Sequence, residues 1–132
     1  MGVVAGNTYT YQVAALNAAG RSAYSNIASA VIVAPPAAPT NVNATARLQG
    51  NNARVTLTWT DVATNETGYR IQRATNAAFT ANLVTSTVGA NVTTFSTGNL
   101  ARNTPYYFRV QAFNGAGPSA WVNANPSPIL TP

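Results

Sequence analysis

NTPYYFRVQAFNGAG, residues 103–117, places Tyr106, Phe108, Val110 and Ala112 on one face of an extended chain. Tyr107, Arg109, Gln111 and Phe113 fall on the other. Alternation over eight residues, closed by Asn-Gly, predicts a strand with one buried face running into a hairpin turn. Leu100 stands six residues before Tyr106. Much of the pattern recurs upstream as NTYTYQVAALNAAG, residues 7–20, with Val3 six residues before Tyr9. The core hairpin of a β-sandwich module is therefore written twice.

Residues 1–33 predict a strand over about Tyr9–Asn17, a turn at Ala18–Ser22 and a second strand over about Asn26–Val33. VAPPAAPT, residues 33–40, follows. Its three prolines cannot donate to a ladder and favour an extended connection, which marks a boundary. Strand signals then arrive at sandwich spacing. A short, edge-like strand is expected at Val42–Ala46. Ala53–Thr60 turns Val55, Leu57 and Trp59 inward, and Asp61–Thr67 is a polar loop. Gly68–Arg73 turns Tyr69 and Ile71 inward, Asn82–Thr87 is a weak strand, and Thr93–Thr97 carries Phe95. A last strand is expected over about Ala120–Asn125. Helical periodicity is absent, so the chain reads as all-β.

Those features together resemble a fibronectin type III domain over residues 37–132. Trp59 near the end of the second strand and Tyr69-x-Ile71 in the third carry the likeness. So does Leu100 with Tyr106, which resembles the tyrosine corner of this sandwich class. FNGAGPSAW, 113–121, is similar to the family's turn into its last strand, and WTDVATNETGYRIQR, 59–73, to bacterial members. The resemblance implies an immunoglobulin-like β-sandwich at 39–132, a Pro/Ala linker at 34–38, and at 1–33 only the last two strands, F and G, of another unit. The expected core is Trp59, Tyr69, Ile71, Leu100, Tyr106, Phe108 and Val110, with Phe95. Burying each large apolar side chain contributes about 1.5–3 kcal/mol.

Composition narrows the chemistry. At 132 residues the chain suffices for one domain and a remainder, not for two sandwiches of about 100 residues each. Charged residues are only 7%, and all seven basic residues are Arg, spread without a run. The balance of +5 thus lacks the clustered basic face of a nucleic-acid binder. His, Cys and Lys are missing, which removes histidine triads, thiol nucleophiles, Schiff bases and the usual zinc sites. Asp61 and Glu66 are the only carboxylates. A glycosidase needs two across a cleft, whereas the plainer expectation is that Asp61 accepts from loop amides and Glu66 pairs with an arginine. Two acids also fall short of Ca²⁺ ligation. No metal or cofactor is expected, and no enzyme.

No apolar run approaches the ~18 residues of a membrane span, and MGVVAGN lacks the basic and apolar regions of a signal peptide. Export would make Met1 a start other than the native one. No Arg-Gly-Asp triplet occurs. Asn43, Asn65 and Asn91 begin Asn-x-Ser/Thr triplets, relevant only where the source glycosylates exported proteins.

The candidate ligand face is the outside of the sheet expected to hold strands C and F: Arg70, Gln72, Tyr107, Arg109, Gln111 and Phe113. Aromatic rings flanked by Arg and Gln can stack on a sugar and bond its hydroxyls. The alternative is cross-strand pairing that covers the sheet, and Trp121 is expected to pack over the sandwich edge. The resemblance implies a non-catalytic module of a secreted or cell-surface multidomain protein. Spacing, display, or weak binding of carbohydrate or protein would be its role, with neighbouring domains as partners. The competing expectation is a self-assembling extracellular structural protein, in which residues 1–33 are completed by strands of another copy.

Overall fold

The structure, a computed structural model, describes residues 4–132, and the chain divides into two compact units between Ala34 and Pro35. Val3, the expected counterpart of Leu100, lies outside the described residues. The strands of the first unit are β1 (Thr8–Tyr11), β2 (Leu16–Asn17), β3 (Gly20–Arg21) and β4 (Ala28–Val31). Those of the second are β5 (Thr40–Gln49), β6 (Asn52–Thr60), β7 (Gly68–Ala74), β8 (Val84–Gly89), β9 (Thr94–Leu100), β10 (Pro105–Asn114), β11 (Gly117–Pro118), β12 (Val122–Asn123) and β13 (Ile129–Leu130).

In the second unit, residues 35–132, period two becomes a two-layer sandwich. One sheet has the order β5-β6-β9; the other runs β8-β7-β10, with β11, β12 and β13 on the far side of β10. Along β6, Ala53, Val55, Leu57 and Trp59 are buried. Along β10 the buried set is Tyr106, Phe108, Val110 and Ala112. Tyr69 and Ile71 of β7, Val42 and Ala44 of β5 and Leu100 of β9 complete one core, against which Phe95 is only half-buried. Trp59 and Tyr69 pack ring against ring, 5.4 Å between centroids.

Several boundaries differ from expectation. The first strand is not short: β5 pairs with β6 from Thr40 opposite Thr60 to Gln49 opposite Asn52. Its outward Thr and Arg residues carry no apolar rhythm to lengthen the signal, yet they lie on a ladder that shifts register once, between Thr40 and Asn43, and closes at Gly50, whose φ is +60°. The strand expected at Asn82 begins at Val84, because Asn82 itself turns with a left-handed φ of +50°. The strand of Phe95 reaches Leu100. The expected last strand narrows to β12, and β13 follows after Pro126 and Pro128, neither of which has an N–H to donate. Pro36 and Pro39 are buried, so this part of the Pro/Ala stretch is packed rather than free in solvent.

In the first unit, β1 pairs antiparallel with β4, Thr8 opposite Val31 through Tyr11 opposite Ala28, and β2 pairs with β3. The strand expected over Tyr9–Asn17 is interrupted at residues 12–15. The reason lies in the comparison with β10, which is held by β7 along Tyr107–Phe113. No counterpart of β7 exists among the described residues of the first unit.

Tyr106 closes the second unit. Its ring is buried, and its hydroxyl accepts the Ala101 N–H at 3.1 Å. Tyr106→Phe is expected to lower stability by about 0.5–1.5 kcal/mol. A urea midpoint equal to that of the parent chain would contradict the role given to this bond.

Candidate functional site: the outer face of the larger sheet

Because β7 and β10 run antiparallel, their register decides which outward side chains meet. Arg109 stands opposite Gln72, Gln111 opposite Arg70, Tyr107 opposite Ala74 and Phe113 opposite Gly68. All six residues singled out in the sequence therefore share one face. Five of them bind one another there, and Tyr107 meets Phe79.

The Gln72 Oε1 accepts from Arg109 Nε at 2.8 Å and from Nη2 at 2.6 Å, while Gln72 Nε2 donates to Thr85 Oγ1 at 3.2 Å. The Arg109 guanidinium is held between two rings, 4.1 Å from the Phe79 centroid and 4.5 Å from that of Trp121. Burial lowers its pKa from the ordinary value. Phe79 also meets Tyr107 edge-on at 6.5 Å. At the other end, Arg70 lies 4.2 Å from the Phe113 centroid and reaches Gln111 Oε1 at 3.5 Å. Gln111 Nε2 donates to the Ser119 carbonyl at 3.0 Å. The Phe113 ring rests on Gly68, where an added Cβ would stand 3.1 Å from it and collide with the Val88 carbonyl.

Sequence reasoning missed Phe79. It sits in the 75–83 loop with a φ of +55° and is buried. Asn76 folds that loop: its Oδ1 accepts the Thr80 and Ala81 N–H groups at 2.9 and 3.0 Å. An Asn followed by a lone aromatic in a polar loop was the available signal. Trp121, expected over the sandwich edge, lies against Arg109.

A cation–π contact contributes about 0.5–2 kcal/mol, and Arg109 makes two besides its forked bond to Gln72. Arg109→Ala is expected to lower stability by about 1–3 kcal/mol. Arg109→Lys should recover less than half, since an ammonium keeps the charge but loses the planar fork. Chemical denaturation of the three proteins checks this, and equal stability would contradict a structural role for the Arg109 contacts.

Both carboxylates have structural partners other than those expected. Asp61 Oδ1 accepts the Tyr69 hydroxyl at 2.5 Å, not a loop amide. Burial foremost, then that bond to Asp61, pushes the Tyr69 pKa well above its ordinary range. Glu66 Oε1 accepts the Asn91 N–H at 3.2 Å, in place of an arginine. Asn91 lies in the turn between β8 and β9 and has a φ of +61°. The crevice between the sheets, lined by Ile71, Arg73, Val84, Ser86, Phe95, Thr97 and Phe108, has a volume of about 20 Å³. That is room for about one water, not for a sugar ring.

Comparison with known proteins fits this geometry. The family model described as "Fibronectin type III domain" matches residues 37–125. The protein named Chitinase A1 of Niallia circulans is 34% identical over 126 residues, which span 88% of this chain and 16% of that protein. The chain thus corresponds to about one sixth of that relative's length. Among solved structures, the chicken CNTN1 FN1–FN3 domains match with a TM-score of 0.59 at 24% identity, over 98% of this chain and 44% of that one. The two-domain fibronectin type III segment of chicken tenascin matches with a TM-score of 0.60 at 18% identity, over 93% and 66%. At such identities the two structures speak for the fold alone.

Proposed function

Because the chain belongs to the fibronectin type III family, we propose that it is a non-catalytic module of a secreted or cell-surface multidomain protein, spacing and displaying the domains beside it. The observation that carries this reading is the coverage of the bacterial relative: the likeness spans nearly all of this chain and a small part of a much longer protein. The geometry favours spacing over ligand capture. Arg109 is enclosed by Phe79 and Trp121, Arg70 lies on Phe113, and the amides of Gln72 and Gln111 are taken up within the sheet. A sugar docking there would have to break these contacts before forming its own. Asp61 and Glu66 likewise serve the fold through Tyr69 and Asn91.

The relative's name supplies the polymer for the test. The full chain is incubated with insoluble chitin, and both retained protein and released sugar are measured. The spacer reading expects neither. Retention abolished by Arg109→Ala with the fold intact would make the outer face a carbohydrate site. Release of sugar that disappears in the folded Asp61→Ala/Glu66→Ala double variant would overturn the non-catalytic reading altogether.

A further inference from the structure

Several bonds at the end of the second unit recur among the described residues before Ala34, although β4 lies on β1 two residues out of the matching register, Tyr9 opposite Ala30 but Tyr106 opposite Ile129. Tyr9 and Tyr106 stand 97 positions apart (106 − 9), and that offset relates one contact after another. The Tyr9 hydroxyl accepts the Val4 N–H at 2.6 Å, as the Tyr106 hydroxyl accepts that of Ala101. Asn17 Oδ1 accepts the Ala19 N–H at 2.8 Å, and Asn114 Oδ1 that of Ala116 at 2.8 Å. Ser22 Oγ accepts the Ala15 N–H at 2.8 Å, and Ser119 Oγ that of Ala112 at 2.9 Å. Leu16 and Asn17 pair with Arg21 and Gly20, as Phe113 and Asn114 pair with Pro118 and Gly117. The two glycines share a left-handed φ, +138° and +143°.

Burial is where the copies part. Phe108 and Val110 are 1% and 0% exposed, whereas Tyr11 and Val13, at the matching positions, are 53% and 71% exposed. Gln12 and Ala14 match Arg109 and Gln111, which β7 pairs, yet their main chain has no hydrogen-bond partner among the described residues. An apolar face and an open backbone edge thus coincide, both shaped for the same missing neighbour.

We infer that residues 4–33 are the closing hairpin of a second sandwich, and that their partner is a strand set of the kind formed by β5–β9, supplied from outside residues 4–132. Its equivalent of β7 lies along residues 12–15 in the register β7 keeps on β10. The counterpart of Gln72 then faces Gln12, that of Ile71 faces Val13, and that of Tyr69 faces Ala15. A second copy of the chain is not that partner through exchange of hairpins. Residues 4–132 carry two such hairpins and one β5–β9 set, so exchange between two copies of them leaves one hairpin per copy uncovered. The matches to tandem structures run into this hairpin as well, because residues 35–132 are only about three quarters of the chain. The inference rests on the hairpin and not on the spacer role, so the chitin experiment leaves it untouched.

The test is an extended chain with residues 35–100 added directly before Val4, so that Leu100 is joined to Val4 as it is to Ala101. Hydrogen exchange is followed in it and in the full chain. The Gln12 and Ala14 amides are expected to slow by at least about 100-fold in the extended chain, which stays monomeric. Val13→Asp should return them to fast exchange while residues 105–112 keep their protection. Unchanged exchange at Gln12 and Ala14, or aggregation of the extended chain where the full chain is soluble, overturns the inference. So does a full chain that is already a dimer by light scattering with those amides protected, because the occupant is then a second hairpin.

Discussion

Phe108→Ala is expected to destabilise residues 35–132 by about 3–5 kcal/mol, while Tyr11→Ala, its counterpart in the first unit, changes the stability of its own hairpin by no more than about 0.5 kcal/mol. The two residues hold the same place in the same hairpin pattern and differ in what lies over them. Phe108 is enclosed by the two sheets, so its removal sacrifices both transfer free energy and packing around the cavity left behind. Tyr11 is already in water. A sandwich of this size has about 5–15 kcal/mol of total stability, and no disulfide adds to it, so the Phe108 variant should unfold at much lower urea. Both tryptophans of the chain, Trp59 and Trp121, belong to the second unit. Tryptophan emission therefore reports that unit alone, and circular dichroism adds the hairpin. Equal midpoints for the Phe108 variant and the parent would contradict the placement of the core.

The second large effect is alkaline. Tyr69 is wholly buried and donates to Asp61, and its pKa in the folded protein lies above the ordinary value. The unfolded chain loses this proton near pH 10, while the folded one retains it. The contribution is thus fully present below about pH 10 and is lost as pH rises further toward the folded pKa. Thermal midpoints should fall between about pH 9.5 and pH 11, and the fall should be shallower in Tyr69→Phe, which has no proton to lose there. Asp61→Ala at pH 7 leaves the buried hydroxyl without its acceptor and is expected to cost about 1–3 kcal/mol. Identical pH profiles for the parent and Tyr69→Phe would remove Tyr69 as the source of alkaline lability.

Much of this architecture is local enough to be legible in the chain. Period two in Val55, Leu57 and Trp59, in Tyr69 and Ile71, and in Tyr106 to Ala112 assigns each residue to a face, because successive side chains in a strand point opposite ways. The Leu100–Tyr106 spacing and the Asn-Gly turn are likewise local, and the recurrence at 7–20 shows that the first hairpin has the same apolar face. What lies over a face is not local. The extent of β5 depends on a partner strand, and Asp61 meets Tyr69 only once β6 and β7 face each other. Arg109 is bracketed by Phe79 and Trp121, which stand 30 residues before it and 12 after it in the chain (109 − 79 and 121 − 109). An outward Arg or Gln has the same alternation whether solvent, a sugar or a neighbouring ring covers it. For Tyr11 and Phe108 the apolar pattern is shared, and only the presence or absence of strands against the hairpin separates an exposed ring from a core one. Pattern assigns a side chain to a face, but burial is a property of two surfaces, and the second arrives only with tertiary structure.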